Sequence, residues 1–308
     1  MTSAWRSFRE SEFVVIFITS FWLIVVLQYY IPMLLFLPIS FIPGYGVHWY
    51  RQLSGAYDVH WGRHSCLSIP FSWCACRIYI NDFEFLMKFK EKGDGLLLST
   101  HCSRVDWLLA VYVGMVGRSQ VRVGFVAEVT TALMPIIGWS RYLLGDILLQ
   151  RAFHKDRPRI LDNINNFHKS KVERVLFLAP EGTIADPGID EEYVKACEQF
   201  MISDGRKPLT HLLTPRYKGM SAFVLHSPNN VASCAMTFVT GHPEVDEKTG
   251  AMIGGVKHSL SMSNPDRMIP DLHTIFRGGM AAFVNIHTLK LYNEGSDEID
   301  EAGAKKDP

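Results

Sequence analysis

Residues 95–106 read Gly-Leu-Leu-Leu-Ser-Thr-His-Cys-Ser-Arg-Val-Asp, and this stretch decides how the chain folds. It opens with apolar and small residues in a pattern typical of a buried strand. His101 follows directly, and in α/β sheets the carboxyl ends of parallel strands carry the ligand-binding side chains. Ser103 and Asp106 then precede the apolar run 107–113, which predicts a helix that begins with a capping-box-like pair. We therefore expect a strand, a turn that carries His101, and a helix.

The spacing of His101 and Asp106 decides whether their side chains can touch. In one continuous helix, residues five apart are rotated by about 140° from each other and do not meet. Across a strand-to-helix turn, the carboxylate can instead reach one imidazole nitrogen, fix its tautomer and stabilise the imidazolium. The other nitrogen is then available as a general base for a hydroxyl, with no enzyme nucleophile needed. The alternatives are a capped helix beside an unrelated histidine, and covalent catalysis by Cys102, whose side chain points elsewhere.

Length and composition limit the class of protein. The chain has 308 residues, 48% of them hydrophobic, which is enough for one large domain with a substantial core. Its 31 basic and 31 acidic residues balance, so no global positive field supports nucleic-acid binding. The six cysteines show no repeated spacing, and a chain of this size does not need disulfides. Cys74 and Cys76 lack a second Cys/His pair at finger spacing, so we expect no metal site.

The N-terminal region predicts membrane attachment. No charged residue occurs between Glu12 and Arg51, and 13–31 is an unbroken apolar run long enough to cross a bilayer. A second, shorter leg over 33–49, separated from the first by Pro32, predicts a hairpin or re-entrant loop. A single span and a cleaved signal peptide are the alternatives. We expect residues 1–50 to form a membrane hairpin with both ends on the cytosolic side.

An alternation of strands and helices follows the hairpin. Strands are predicted at 77–80, 95–100, 121–127, 174–179, 232–239 and 281–291, the last as an edge or one-sided strand. Helices are predicted from Asp82 to Phe89 and around Leu143 and Ile160. This order is typical of an α/β domain, to which we assign residues 51–292. The polar stretch 293–308 is predicted to be a disordered tail.

Three further segments carry candidate binding groups. The strand 174–179 ends in Pro180-Glu181-Gly182-Thr183, which places a second carboxylate at a strand end. Arg151 follows an apolar segment, and the three basic residues close behind it add enough positive charge to hold a phosphate. Residues 214–219 form a turn with two cations, Arg216 and Lys218. An ordinary strand-to-loop turn and a solvated helix face are the alternative interpretations of the first two segments.

These motifs occur in the order of the four blocks of the glycerolipid acyltransferase superfamily, which the chain resembles over about 96–219. The resemblance extends to the 1-acylglycerol-3-phosphate acyltransferase family and, within it, to the branch with lysocardiolipin and lysophosphatidylinositol acyltransferases. Gly138-Trp139 and Lys155-Asp156 suit that branch. The resemblance implies a glycerol-3-phosphate acyltransferase-like fold, a mixed sheet flanked by helices.

The resemblance also implies roles for individual residues. His101 would be the catalytic base and Asp106 its orienting partner. Pro215 would position the acyl chain or CoA. The residues expected in the binding of substrate are Arg104, Arg151, Glu181, Gly182, Thr183, Pro215 and Arg216.

Two positions depart from the family pattern. Thr100 precedes the histidine where many relatives carry Asn, which can alter how His101 is held. Ile184 stands where phosphatidate-forming bacterial relatives have Arg, which favours an acceptor with a larger head group than lysophosphatidate.

The sequence thus predicts an acyl-CoA-dependent enzyme that esterifies a lysophospholipid: lysophosphatidylinositol, lysocardiolipin or lysophosphatidate. The partners expected are membrane lipids, acyl-CoA as co-substrate and the lysophospholipid acceptor, with no bound cofactor and no nucleic acid. Lys305-Lys306 resembles a dilysine retrieval signal, so we expect the endoplasmic reticulum membrane with a cytosolic catalytic domain, or a mitochondria-associated membrane. A CoA-independent phospholipid transacylase and a catalytically silent lipid-binding protein are the alternatives.

Overall fold

The structure is a computed structural model that describes the following parts of the chain. These are residues 8, 11–59, 64, 67–68, 71, 76–91, 95–101, 103–116, 121–134, 137–170, 173–184, 191–209, 213–226, 231–246, 252–258, 269, 271–277 and 280–288. The predicted tail 293–308, including Lys305 and Lys306, and Cys102 lie outside the described residues.

The described strands form one mixed sheet of eight strands. Their bounds are β1 Arg77–Ile80, β2 Gly95–Ser99, β3 Arg122–Glu128, β4 Ile147–Leu149, β5 Arg174–Leu178, β6 Val231–Val245, β7 Met252–His258 and β8 Met280–Thr288. The strand order is β1-β8-β6-β2-β5-β3-β4, and β7 pairs with β6 outside this path.

The described helices lie before, between and after these strands. Their bounds are α1 Glu12–Leu35, α2 Gly46–Tyr57, α3 Phe83–Glu91, α4 Asp106–Met115, α5 Ile137–Leu144, α6 Phe153–Ser170, α7 Glu191–Ser203, α8 Tyr217–His226 and α9 Leu272–Arg277. Two 3₁₀ helices cover Leu37–Phe41 and Val129–Leu133. The predicted α/β class is confirmed.

Four neighbouring parallel strands form the part of the sheet that matters for the site. β2 pairs with β5, β5 with β3 and β3 with β4, all in parallel register. Leu98 lies opposite Leu178, so β2 and β5 end at the same level. Because parallel strands end at the same edge of a sheet, the residues that follow all four strands are brought together there.

The core explains why β2 and β5 are central. Leu96, Leu97, Val175 and Leu176 are all buried, and the whole of β5 is buried in the protein interior. Strands covered on both faces are continuous apolar runs, which is the pattern that the sequence shows at both places. The predicted strands 95–100 and 174–179 are therefore confirmed to within one residue at their ends.

β8 differs from its prediction. It was expected at an edge or with one face exposed, but it lies between β1 and β6. Residues 281–284 are buried one after another, so neither face of this part of the strand is open to solvent. The alternation that suggested one exposed face lies further along the strand, where Asn285 is half-buried and His287 is exposed on either side of the buried Ile286.

The N-terminal region also differs in detail. α1 has 24 residues and runs through Pro32, which was predicted to separate two legs. Pro32 cannot donate a backbone bond to the Gln28 carbonyl, yet α1 continues to Leu35 and the Phe36 N–H donates to the Pro32 carbonyl at 3.2 Å. α1 with the 3₁₀ helix after it is the one described segment long and apolar enough to cross a membrane. The second predicted leg becomes the 3₁₀ helix and the 12-residue α2, whose length of about 18 Å is less than a hydrocarbon thickness.

α1 is packed against the domain along one side. Val15, Trp22, Val26 and Met33 belong to the same buried cluster as Leu97 of β2 and Leu108 of α4. The Trp22 ring lies 6.1 Å from that of Trp107 and 5.6 Å from that of Phe276, measured between ring centroids. α1 is therefore an integral wall of the domain as well as an apolar helix.

Truncation of a core residue beside the site tests the central position of β2. Leu97 is fully buried, so Leu97→Ala leaves a cavity and should lower the free energy of unfolding by about 2–5 kcal/mol. The measurement is the thermal unfolding midpoint of the full chain in detergent. Lys88→Ala is the control, because Lys88 is exposed and its ion pair with Glu84 one turn away is a surface pair. Equal midpoints for the two variants would contradict the assignment of β2 to the core.

Candidate functional site

The His101 imidazole and the Asp106 carboxylate are in direct contact. His101 Nδ1 lies 2.6 Å from Asp106 Oδ2, across the turn between β2 and α4. α4 begins at Asp106 itself, so the two residues do not share a helix and the five-residue spacing does not separate them. The contact expected from the sequence is therefore present, and Nδ1 is the nitrogen that it occupies.

The environment of this pair favours the protonated imidazole. Burial disfavours the charged ring, but the hydrogen bond to Asp106 and the negative charges of Asp106 and Glu181 outweigh it. The pKa of His101 is consequently raised above its ordinary 6.5. An imidazole with a raised pKa is a stronger base once it is deprotonated.

Asp106 does not take part in the predicted capping box. No side chain caps α4, and Val105 occupies the N-cap position. The Ser103 hydroxyl accepts a hydrogen bond from the Val105 N–H at 3.1 Å, within the turn and before the helix. The capping prediction was wrong because the carboxylate that would have completed it is bound to His101.

Glu181 joins three segments of the site. Its carboxylate accepts hydrogen bonds from the backbone N–H of His101 at 3.1 Å and from that of Leu213 at 3.4 Å. The side chain is buried, and this burial raises the pKa of the carboxyl although the two N–H donors and His101 lower it. Glu181 thus ties the end of β5 to the turn after β2 and to the segment before α8.

Arg151 has a backbone conformation that the surrounding structure maintains. Its φ is 60°, in the left-handed region that a non-glycine residue adopts only when its neighbours require it. The buried Asp156 carboxylate accepts hydrogen bonds from the N–H groups on both sides, those of Gln150 at 2.7 Å and Ala152 at 2.9 Å. Asp156, from the first turn of α6, therefore fixes where Arg151 emerges from the end of β4.

The Arg151 guanidinium is paired with a carboxylate that the sequence analysis missed. Its Nη2 lies 2.8 Å from Glu128 Oε2 and also donates to the Gly182 carbonyl at 3.1 Å. Glu128 is the last residue of β3, and the predicted strand stopped at Ala127, directly before it. The sequence did contain a signal for Glu128, because a carboxylate at the end of a predicted parallel strand is a candidate site residue.

The Gly182 turn accommodates a second arginine. Gly182 has a φ of 71°, and a Cβ there would lie 3.1 Å from Arg216 Nε. The Arg216 N–H donates to the Pro180 carbonyl at 2.7 Å, and Arg216 Nη2 donates to the Tyr193 hydroxyl at 3.1 Å. Residues 213–216 form no regular secondary structure, and α8 begins at Tyr217, so the predicted turn over 214–219 is half helical and its second cation, Lys218, lies in the helix.

Thr100 does not hold the His101 ring. Its hydroxyl donates to the Met236 carbonyl and accepts from the Met236 N–H, both at 2.9 Å. These bonds attach the end of β2 to β6. They take the place of a backbone hydrogen bond between the two strands at the point where β2 ends. Thr100, which stands where many relatives carry Asn, thus bonds to the neighbouring strand of the sheet and not to the His101 ring.

A cavity of about 880 Å³ adjoins the His101–Asp106 pair. Both residues line it, and so do the exposed cations Arg104, Arg151 and Arg216. Most of the rest of its wall is apolar, with contributions from α1, α4 and the sheet: Trp22, Val26, Ala110, Phe177 and Met236. The buried carboxylates Asp58, Asp146 and Asp156 also line it. The cavity is therefore amphipathic, with positive charge near the solvent and apolar surface in its depth.

Most of the predicted site residues line the cavity, and two of them lie outside its wall. Those that line the cavity are His101, Asp106, Arg104, Arg151, Gly182, Thr183 and Arg216. Glu181 and Pro215 lie outside its wall, and their predicted part in substrate binding stays a prediction. In the described part of the chain, no group of three His, Cys, Asp or Glu side chains is arranged to hold a metal ion.

The fold and the site together define an α/β protein whose sheet edge carries a histidine–carboxylate pair beside an amphipathic cavity. A family model described as Acyltransferase matches residues 82–237, just over half of the chain. The match covers β2 to β5 and all of the site residues named above. The chain belongs to the Acyltransferase family, and the resemblance predicted from its motifs is confirmed at that level.

Curated relatives carry names from the same family. Probable 1-acyl-sn-glycerol-3-phosphate acyltransferase 5 of Arabidopsis thaliana is 27% identical over 168 residues, which are 50% of this chain and 42% of the relative. 1-acyl-sn-glycerol-3-phosphate acyltransferase 3 of the same plant is 27% identical over 183 residues, 56% and 46% of the two chains. The human 1-acyl-sn-glycerol-3-phosphate acyltransferase delta is 26% identical over 176 residues, 54% and 44% of the two chains. In each comparison the chain spans less than half the length of the relative.

Substitution of Glu181 tests its position at the centre of the site. Glu181→Ala leaves the buried N–H of Leu213 and the N–H of His101 without their acceptor, which should lower the free energy of unfolding by about 1–3 kcal/mol. Glu181→Gln keeps one acceptor oxygen and should lose less. Urea denaturation of the full chain in detergent measures both. Two variants that unfold at the wild-type urea concentration would refute the bridging role.

Proposed function

We propose that this protein transfers a fatty acyl group from acyl-CoA to a free hydroxyl of a lysophospholipid. The observation that carries the proposal is the 2.6 Å contact between His101 and Asp106 in the wall of an amphipathic cavity. The family and the names of the relatives support the reaction class. The apolar depth suits an acyl chain and the cationic end suits phosphate, which is the chemistry of both substrates.

The mechanism begins with His101 as a general base. Asp106 holds Nδ1, so Nε2 takes the proton of the acceptor hydroxyl while its oxygen attacks the thioester carbonyl. The new C–O bond forms and the C–S bond breaks. The leaving CoA thiolate then takes the proton back from the imidazolium, which restores the base. The raised pKa of His101 helps the first proton transfer, and Asp106 stabilises the positive ring between the two transfers.

The acceptor phosphate would be held by the cations at the exposed end of the cavity. Arg151 is the best placed of them, because its backbone is fixed by Asp156 and its guanidinium faces the Gly182 turn. Its pairing with Glu128 reduces the net positive charge there. A phosphodiester with one negative charge suits this pair better than a phosphomonoester with two, since the second charge would be repelled by the carboxylate. Together with Ile184, this favours lysophosphatidylinositol or lysocardiolipin over lysophosphatidate.

The membrane attachment of the protein is part of the same proposal. α1 packs one side against the domain and leaves Phe17, Ile24 and Ile31 exposed on the other. A helix that is apolar all round and lines the cavity would hold the site beside its lipid substrate.

The direct test uses the full chain reconstituted in phospholipid vesicles with radiolabelled acyl-CoA. Lysophosphatidylinositol, lysocardiolipin and lysophosphatidate are offered separately, and labelled product is measured. His101→Ala should lower the rate by roughly 10²–10⁴-fold, because proton transfer by a positioned base contributes about that much. His226→Ala is the matched control, an exposed histidine at the end of α8 that should leave the rate unchanged.

Two outcomes would contradict the proposal. Product formation from labelled phospholipid without acyl-CoA would identify a transacylase. Vesicle binding without turnover of any acceptor would identify a silent lipid-binding protein.

A further inference from the structure

Four apolar side chains stand exposed on the catalytic domain, away from the N-terminal helix in sequence. Leu133, Met134, Trp139 and Tyr142 are 78%, 48%, 52% and 61% exposed, and we call them the apolar rim. They lie on the 3₁₀ helix after β3, on the residue that follows it and on α5. Soluble surfaces rarely gather large apolar side chains in this way unless something covers them.

The apolar rim is held by a well-packed backbone. Gly138 lies so close to the 3₁₀ helix that a Cβ at this position would be 2.1 Å from the Thr131 carbonyl oxygen. The Thr131 hydroxyl donates to the Glu128 carbonyl at 2.7 Å, which closes the 3₁₀ helix onto the end of β3. Glycine and threonine at these positions let the two short helices form one unit. The exposed side chains are therefore displayed by folded structure.

The apolar rim adjoins the apolar helix and the cavity. α1 and α2 both contact α5, so the three helices lie side by side, and each carries exposed apolar side chains. Leu23 of α1 and Met134 of the apolar rim are each nearly half exposed, and both line the cavity. The cavity thus reaches the surface between α1 and the apolar rim, and apolar side chains stand on both sides of that opening.

We propose that the apolar rim is a second membrane-contact surface, which lies in one leaflet of the bilayer beside α1. Its composition suits this position, because Trp and Tyr accumulate at the membrane interface and Leu and Met enter the hydrocarbon. The opening between Leu23 and Met134 then faces lipid, so that an acyl chain enters the cavity sideways without crossing water. The route of the acyl chain rests on the proposed function, whereas the lipid contact does not.

A second copy of the chain is the other occupant that such a surface can take. A protein partner seated on the apolar rim would cover the opening between Leu23 and Met134. A bilayer would cover the same side chains without blocking the opening. The lipid molecules that contact the opening would themselves be the substrates that enter the cavity. The continuity of the rim with α1, the helix long enough to cross a membrane, favours the bilayer.

Site-specific photocrosslinking tests the proposal on the full chain in phosphatidylcholine vesicles. p-Benzoylphenylalanine replaces Leu133, Trp139 or, as the matched control, Ile202 of α7. Ile202 is 63% exposed, and the Asp204–Arg206 ion pair lies next to it on the chain. All three positions are exposed, so the substitutions should not disturb the core. After illumination, intact-mass spectrometry measures adducts of one phospholipid, and gel electrophoresis measures crosslinked dimers.

We expect phospholipid adducts at 133 and 139 and none at 202. Crosslinked dimers at 133 would overturn the proposal in favour of a second copy, and the absence of lipid adducts at both rim positions would overturn it outright. Adducts of equal yield at all three positions would also overturn it, because the contact would then be nonspecific. Crosslinking needs no turnover, so a chain that lacks acyltransferase activity but labels at 133 and 139 would refute the proposed function and leave the membrane contact standing.

Discussion

The contact between His101 Nδ1 and Asp106 Oδ2 is the interaction on which the rest of the site depends. It forms only because β2 ends at Ser99 and α4 begins at Asp106, which leaves His101 on the turn between them. The parallel pairing of β2 with β5 then brings Glu181 to the same edge, where it accepts the His101 N–H. A backbone bond and a side-chain bond thus hold the imidazole from two sides, and the charge of both carboxylates raises the pKa of His101 against the effect of burial. The sheet supplies the position of His101, and the two carboxylates orient it and raise its pKa.

The same edge also explains how one cavity can accept a molecule with an apolar and an anionic end. Glu128 ends β3 and Arg151 lies just beyond the end of β4, so their ion pair is assembled by strand order rather than by closeness in sequence. α1 closes the other side of the cavity with Trp22 and Val26, which lie in the same buried cluster as Leu97. A helix that looks from its composition like a simple anchor is therefore also part of the wall of the site. Because α1 supplies part of this wall, the helix cannot be displaced without opening the cavity.

Much of this arrangement could be predicted from local patterns. The apolar runs that became β2 and β5 are buried on both faces, and buried parallel strands have an unbroken apolar pattern that is easily recognised. The His101–Asp106 contact followed from the predicted strand-to-helix turn, because the same spacing within one helix would keep the two side chains apart. What could not be predicted depended on tertiary neighbours. β4 has only three residues, and Glu128 became important only because β3 and β4 are adjacent. The edge assignment of β8 failed because nothing in its own sequence shows that β1 lies against it. Pro32 was expected to break a helix, yet it falls in the last turn, where the helix tolerates it.

The central claim is that Asp106 makes His101 a stronger base, and the pH dependence of kcat/KM tests it most directly. The active form is the neutral imidazole, so the rate should rise with pH through the pKa of His101, and the midpoint of that rise should lie above the ordinary 6.5. In Asp106→Asn the negative charge that helps to raise the pKa is lost, and the neutral amide oxygen is a weaker acceptor for the imidazolium, so the midpoint should move to lower pH while the plateau rate falls on the order of 10²-fold. A plateau that falls without any movement of the midpoint would show that Asp106 supports the fold and does not tune the base, and would contradict the account.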